Sequence, residues 1–288
     1  MKKEIVITDK MIKGFVAYLK EQEKSKSTIN SYRRELISLK SFLDNDRITK
    51  DKLLSYKAMI SSQYSPSTCN VSISAVNSFL KFSGRADLFV KPIKVQKQIF
   101  EDKDRELTKI EYNKLIKTAK TSGSERTALA IQTICSTGIR VSELQFITVE
   151  ALKNGQAHIS CKGKNRVVFI PKSLCELLKK YVTSRKIESG SVFVTRSGNP
   201  LDRSNLWKQM KQLCDFSGVK SEKVFPHNLR HLFARTYYTQ QKDISRLADI
   251  LGHSNINTTR IYTRESGTVH ARQIERLGLV RGAAKNTT

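Results

Sequence analysis

Apolar residues in the first hundred positions recur at three- and four-residue intervals, the period of helices with one buried face. Thr8 and Asp9 can cap a helix whose Ile12, Phe15, Val16 and Leu19 share a side. A second helix gathers Ile29, Tyr32, Leu36, Leu39 and Phe42 on one face and leaves Arg33 and Arg34 off it. A third is predicted over 50–60. After Ser65-Pro66 a fourth runs over 67–82, with Val71, Ala75, Val76, Phe79 and Leu80 inward, and Ser83-Gly84 ends it. Four helices on short joints predict a small bundle.

The period is lost over 91–104, where Pro92 and alternating charge read as a linker. Leu107 then precedes Thr108-Lys109-Ile110-Glu111, a capping-box pattern that opens a new helix. Beyond it the pattern mixes. Helices are predicted over 125–135 and 140–146, and strand-like pieces over 157–161 and 167–170, joined by a Lys-Gly-Lys-Asn-Arg turn. A helix over 174–186 and a short strand over 192–195 follow, and helices dominate to the end. The expected fold is mainly α with a small β-sheet, in two domains. These are a helical domain at 1–98 and a mixed α+β domain at 107–288, with a linker at 99–106.

The 288 residues are 39% hydrophobic, too many for a disordered chain. No apolar run nears the roughly 18 residues of a membrane span. Met1-Lys2-Lys3-Glu4 leads into no apolar signal core, so export is not expected. Five cysteines (Cys69, Cys135, Cys161, Cys175, Cys214) form no CxxC pair, which predicts free thiols in a reducing cytoplasm. Charge changes the picture more. The chain has 52 Lys and Arg against 26 Asp and Glu, a formal +26, with +10 in residues 1–100 and +16 in 101–288. A membrane-surface role would gather that charge into one segment. Its spread over both halves points to a polyanion that both halves touch, and nucleic acid is the usual one.

Four stretches carry candidate chemistry. They are Ser136-Thr137-Gly138-Ile139-Arg140-Val141-Ser142-Glu143-Leu144, the basic turn Lys162-Gly163-Lys164-Asn165-Arg166, His227-Asn228-Leu229-Arg230-His231, and Leu251-Gly252-His253-Ser254 with Tyr262 nine residues past the His. Singly, each has an ordinary reading. Arg140 could pair with Glu143 one turn on, Lys162 could solvate a hairpin, and Tyr262 could be a core aromatic. His227 and His231, four apart, could ligate a metal, but Arg230 lies between them and no Asp, Glu or Cys lies nearby to complete a site. Together they suit a phosphodiester site that uses no metal. Two guanidiniums can grip the non-bridging oxygens bidentately, most usefully as charge grows on phosphorus. A tyrosine can attack phosphorus, although a phenol's ordinary pKa near 10 means it needs help losing its proton.

In residues, order and approximate spacing these stretches resemble the tyrosine recombinase (lambda-integrase) family over about 107–277. The N-terminal half is similar to that family's core-binding domain in length and helix content alone. Overall size resembles the Xer-type and simple integrase members, with no arm-binding domain expected ahead of the first helix. The resemblance implies roles. Arg140 matches the first catalytic Arg and Glu143 the acid supporting it. His227 and Arg230 match the His-x-x-Arg pair, with His231 in support, and His253 matches the later His. Tyr262 matches the nucleophile and Lys162 the hairpin Lys that protonates the leaving 5′-hydroxyl. The hairpin run is one residue shorter than the family's usual Lys-Gly-x-Lys-x-Arg, so Lys164 stays open as the acid. Lys162 is favoured because it precedes the Gly. Lys164 and Arg166, like Arg33 and Arg34, are then expected to contact the DNA backbone.

The implied activity is a clamp on duplex DNA in which Tyr262 attacks a phosphodiester. A 3′-phosphotyrosine and a free 5′-hydroxyl result, and a partner strand's 5′-hydroxyl reverses the step. Neither ATP, metal nor other cofactor is expected. The family implies free monomers that assemble as a homo-tetramer on two DNA sites, through an apolar C-terminal segment and with room for accessory DNA-bending or directionality proteins. A topoisomerase-like rejoining enzyme shares the chemistry. A non-catalytic basic DNA-binding protein would explain the charge but not the Arg/Lys/His/Arg/His/Tyr set.

Overall fold

Four hydroxyls start the N-terminal helices. Thr8, Ser25, Thr49 and Ser65 each accept the backbone N–H three residues on, opening α1 (Asp9–Glu21), α2 (Lys26–Leu43), α3 (Lys50–Gln63) and α4 (Pro66–Phe82). Such a cap is worth about 0.5–2 kcal/mol, and Pro66 takes the first helical position, where its missing N–H costs nothing. The helices close on Phe15, Leu19, Leu36, Leu39, Leu53, Phe79 and Leu80, with Phe15 edge-on to Phe79 at 5.5 Å. Val71, expected inward, is 45% exposed. The buried face of α4 runs instead through Cys69, Ser72, Ile73, Val76 and Phe79, and Val71 falls to its side.

The computed structural model describes residues 5–95, 105–161, 164–195, 197–263, 274–277 and 279. The chain divides into two compact units, Met1–Lys97 and Gln98–Thr288. In the second, the capping box of Thr108 and Glu111 opens α5 (Lys109–Thr121) as the sequence predicts. Next comes α6 (Glu125–Thr137), buried on nearly every side. The helix predicted over 140–146 is a tight 3-10 turn, Val141–Phe146, with Arg140 at its cap. It leads into α7 (Val149–Asn154), a short helix capped by Thr148 that the hydrophobic pattern did not announce. Strands β1 (Gln156–Cys161) and β2 (Lys164–Phe169) pair antiparallel, with Ile159 opposite Arg166.

After α8 (Lys172–Ser184) the strand expected at 192–195 is absent. Ser191 and Val194 make only isolated bridges, to Thr148 and Pro200. Among the described residues α9 (Arg203–Ser217), α10 (Pro226–Gln241) and α11 (Ile244–Leu251) follow. The main core joins Ile131, Ile134, Ile139, Leu144, Leu178, Phe193, Leu206 and Leu229 around α6. A smaller cluster of Ala234, Leu247, Leu251 and Tyr262 sits beside it. The architecture is mainly α with one small sheet, as expected. Among the described residues no helix is long and apolar enough to cross a membrane.

Candidate active site

The site is built where helices end. α6 stops at Gly138, whose φ of +66° favours glycine. Packing also disfavours a side chain there, because a Cβ would sit 2.4 Å from Phe233 Cδ1 on α10 and 3.0 Å from Leu251 Cδ2 on α11, so the Phe233 ring would have to move. Helix ends leave carbonyls without intrahelical partners, and these carry partial negative charge. Arg230 uses two of them. Its Nη1 donates to Gly138 O at 2.6 Å and its Nη2 to Leu251 O at 2.7 Å. A guanidinium only 2% exposed is thus resolvated by the backbone.

Arg140 is organised by Glu143, a carboxylate also 2% exposed. Glu143 Oε2 accepts the Arg140 backbone N–H at 2.7 Å and Oε1 accepts Arg140 Nη1 at 3.1 Å. Arg166 Nη2 donates to the same Oε2 at 2.8 Å, and Arg166 Nη1 donates to Leu251 O at 2.8 Å. Arg140 keeps 46% of its side chain exposed and so presents its charge outward. A cavity of about 670 Å³ opens there, lined by Arg140, Glu143, Arg166, Gly252 and His253.

The histidines are held neutral. Arg230 Nη2 donates to His253 Nε2 at 2.9 Å, and since a guanidinium only donates, Nε2 is the acceptor. The proton then lies on Nδ1, which donates to the buried Thr259 Oγ1 at 2.9 Å. Burial first, then the charges of Arg230, Arg140 and Arg166, pull His253 down to about 4. Burial and His227 bring His231 to about 4 as well. His227, exposed at the rim, is lowered by the protein packed around it and then by Arg230, Arg140 and Arg203. Burial and Arg140 lower Arg230 to about 10, and the Tyr262 hydroxyl opposes them by charge and hydrogen bond. Arg230 is therefore a cation at neutral pH.

Tyr262, 3% exposed, lies between two imidazoles. Its ring is edge-on to His231 at 4.7 Å and stacked on His253 at 6.1 Å, while His231 meets His227 at 4.5 Å. The structure therefore gathers Arg140, Glu143, His227, Arg230, His231, His253 and Tyr262. Lys162 lies outside the described residues, and the backbone of Lys164 pairs with Cys161 in the hairpin. Arg166, expected to face DNA, turns inward and is 14% exposed. Arg33 and Arg34 stand exposed on α2 in the other unit. Sequence reasoning missed Thr259, the partner of His253, and the shared carbonyl of Leu251. The doublet Thr258-Thr259 ahead of Arg-Ile-Tyr was the available signal for the first, and a backbone oxygen leaves none. Among the described residues no three His, Cys, Asp or Glu side chains gather as a cation site. Two fixed guanidiniums, neutral imidazoles and a phenol can together bind a phosphoryl group and offer it a nucleophile.

The sequence profile of the Phage integrase family matches residues 105–268, and that of the Phage integrase, N-terminal SAM-like domain matches 12–87. Tyrosine recombinase XerA of Pyrococcus horikoshii is 30% identical over 96% of this chain and 97% of its own. The crystal structure of a XerA recombinase matches with a TM-score of 0.51 at 27% identity, over 96% of this chain and 100% of that one. A lambda integrase tetramer bound to a Holliday junction shares the fold at a TM-score of 0.72 and 16% identity, over 98% and 80% of the two chains. The chain belongs to the phage integrase family.

Proposed function

We propose that this chain cuts and rejoins DNA strands as a site-specific recombinase, with Tyr262 as its nucleophile. The observation that carries the reading is the seat of Tyr262, between His231 and the His253 that Arg230 holds. A phosphate entering beside Arg140 would meet Arg230 already held by Gly138 O and Leu251 O, and the two guanidiniums would take its non-bridging oxygens. The neutral imidazoles of His227 and His231, packed in a row beside Tyr262, can take up a proton during the attack. The Tyr262 oxygen then bonds to phosphorus as the bond to O5′ breaks, and Lys162, or Lys164 in its stead, protonates that oxygen. A 5′-hydroxyl from a partner strand reverses the sequence, so the bond energy is retained and neither ATP nor metal takes part.

The name of the 30%-identical relative supports this chemistry. We read 1–98 as the core-binding domain, 99–106 as linker and 107–288 as catalytic. Lys164, Arg33 and Arg34 are read as DNA-backbone contacts. We read the free chain as a monomer that works on two sites as a tetramer, and the lambda integrase tetramer on a Holliday junction supports the tetramer. It is supported also by Ile274, Leu277 and Leu279, apolar yet 67%, 63% and 81% exposed, as a segment that docks on a neighbouring copy would be. Accessory DNA-bending or directionality proteins fit the same scheme. The free thiols of Cys69, Cys135, Cys175 and Cys214 suit a reducing cytoplasm.

The test is a nicked suicide substrate from which the cleaved 5′ end diffuses away. Wild-type protein should accumulate a covalent DNA adduct. Tyr262→Phe should bind DNA equally well and form none, since Phe keeps both ring contacts. An adduct from the Phe variant, or strand cutting abolished by EDTA, would overturn the reading.

A further inference from the structure

We infer that Arg166 is a positioning residue that sets the two phosphate-binding arginines in place, and does not itself bind DNA. The inference rests on the phosphodiester chemistry proposed above. It begins with strand register. Ala157 opposite Val168 and Ile159 opposite Arg166 form one face of the hairpin, and Ala157, Ile159 and Val168 are at most 5% exposed. His158, Asn165, Val167 and Phe169 form the other, solvated face. Alternation therefore aims the Arg166 side chain at the core, although its neighbours along the strand point to water.

There its two terminal nitrogens part. Nη2 reaches Glu143 Oε2, and the opposite oxygen of that carboxylate carries Arg140 Nη1. Nη1 reaches Leu251 O, which also receives Arg230 Nη2. One guanidinium thus fixes the carboxylate plane that orients Arg140 and shares the carbonyl that anchors Arg230. His253 follows two residues after that carbonyl. The chain leaves room for this arrangement at Gly252, where a Cβ would fall 2.6 Å from Arg166 Nη1 and 2.7 Å from its Cδ. Gly252 also closes α11 with a φ of +66°, so the left-handed backbone and the Arg166 side chain both favour glycine there. A DNA phosphate ligand would direct these nitrogens outward, and a lysine could serve only one of the two acceptors.

The experiment compares wild type, Arg166→Ala, Arg166→Lys and Gly252→Ala. Single-turnover adduct formation is measured on a suicide substrate at saturating DNA, beside DNA affinity across a salt series. In all three variants we expect cleavage to slow on the order of 100-fold, the effect of a small misplacement of catalytic groups. Affinity and its salt slope should stay those of wild type, which also shows that the variants fold. Lys should not rescue. A methylphosphonate at the scissile position carries no charge for the arginines to offset, so it should restore much of the lost rate. Wild-type cleavage rates in Arg166→Ala or in Gly252→Ala would overturn the inference. So would a salt slope lowered by about 0.9, the mark of one lost phosphate contact, with the rate at saturation unchanged. Rescue by a 5′-bridging phosphorothiolate, whose leaving group needs no acid, would instead assign Arg166 to the hairpin lysine. Failure of the functional reading would show as a wild type that forms no adduct, and would take this inference with it.

Discussion

The two units are both basic and use their charge in opposite ways. On α1 and α2 most cations stay in water, Lys40 with its Asp9 partner being half-buried. Lys13, Lys20, Lys26 and Arg33 line a cavity of about 520 Å³ together with Ile12, Val16 and Ile29. In the catalytic unit Arg230 and Arg166 have left water for helix-end carbonyls and Glu143. A solvated cation attracts a polyanion from a distance, weakly and in many geometries. A desolvated one is costly to bury, but its position is fixed before the substrate arrives, which is what lowers a barrier. The first arrangement should govern affinity and the second should govern rate.

The largest effect expected from this contrast is in Arg230→Lys. The ammonium cannot reach Gly138 O, Leu251 O and His253 Nε2 together, so cleavage should fall by about 10²–10³-fold with a lower melting temperature. Arg140→Lys should slow cleavage comparably while leaving the melting temperature near wild type, because Arg140 is 46% exposed. Single-turnover cleavage and thermal melting measure both. Near-wild-type rates would reduce Arg140 to the ion pair it makes with Glu143, or Arg230 to a tie between helix ends.

The contrast was only half legible in the sequence. Caps such as Thr8 and Thr108 were readable because their partners lie three residues away. So was the Arg140–Glu143 pair, one turn apart. Val71 was misplaced because a fully helical repeat of Val, Ile and Ala does not say which stripe meets α2. The bridges of Ser191 and Val194 depend on Thr148 and Pro200, so no local alternation announced them. The inward turn of Arg166 follows from its pairing with Ile159, which a run of Lys, Asn and Arg does not encode. The motif residues themselves were legible because their types are chemically rare in combination. Their second partners, Thr259 and two carbonyls, were not.

A smaller effect should appear with pH. His253 and His231 lie near 4 in the folded chain against an ordinary 6.5. Between those values the unfolded chain takes up protons that the folded chain refuses. Stability should therefore fall as pH drops from about 6.5 to about 4, level off below, and lose nothing to these groups above 6.5. Protonating His253 would also turn its Nε2 from acceptor to donor against Arg230. His253→Gln keeps an acceptor but cannot titrate, so its denaturation midpoint should depend less steeply on pH over that window. An unchanged slope would mean that His253 is not held neutral by its place beside Arg230.

The smallest effects belong to the solvated unit. If Arg33 contacts a phosphate, Arg33→Ala should lower the slope of log affinity against log salt by about 0.9 and leave cleavage at saturating DNA untouched. Arg34→Ala should do less. Its guanidinium lies 3.2 Å from Glu35, so part of its charge is already answered within α2. Glu35 in turn accepts the hydroxyl of the buried Ser72 on α4, which holds that carboxylate, 16% exposed, toward α4. Fluorescence anisotropy with labelled duplex at several salt concentrations gives the slopes, and the suicide substrate gives the rates. A fall in saturated cleavage rate in Arg33→Ala would break the division of labour. An N-terminal cation would then be setting geometry at the scissile phosphate as well as attracting DNA.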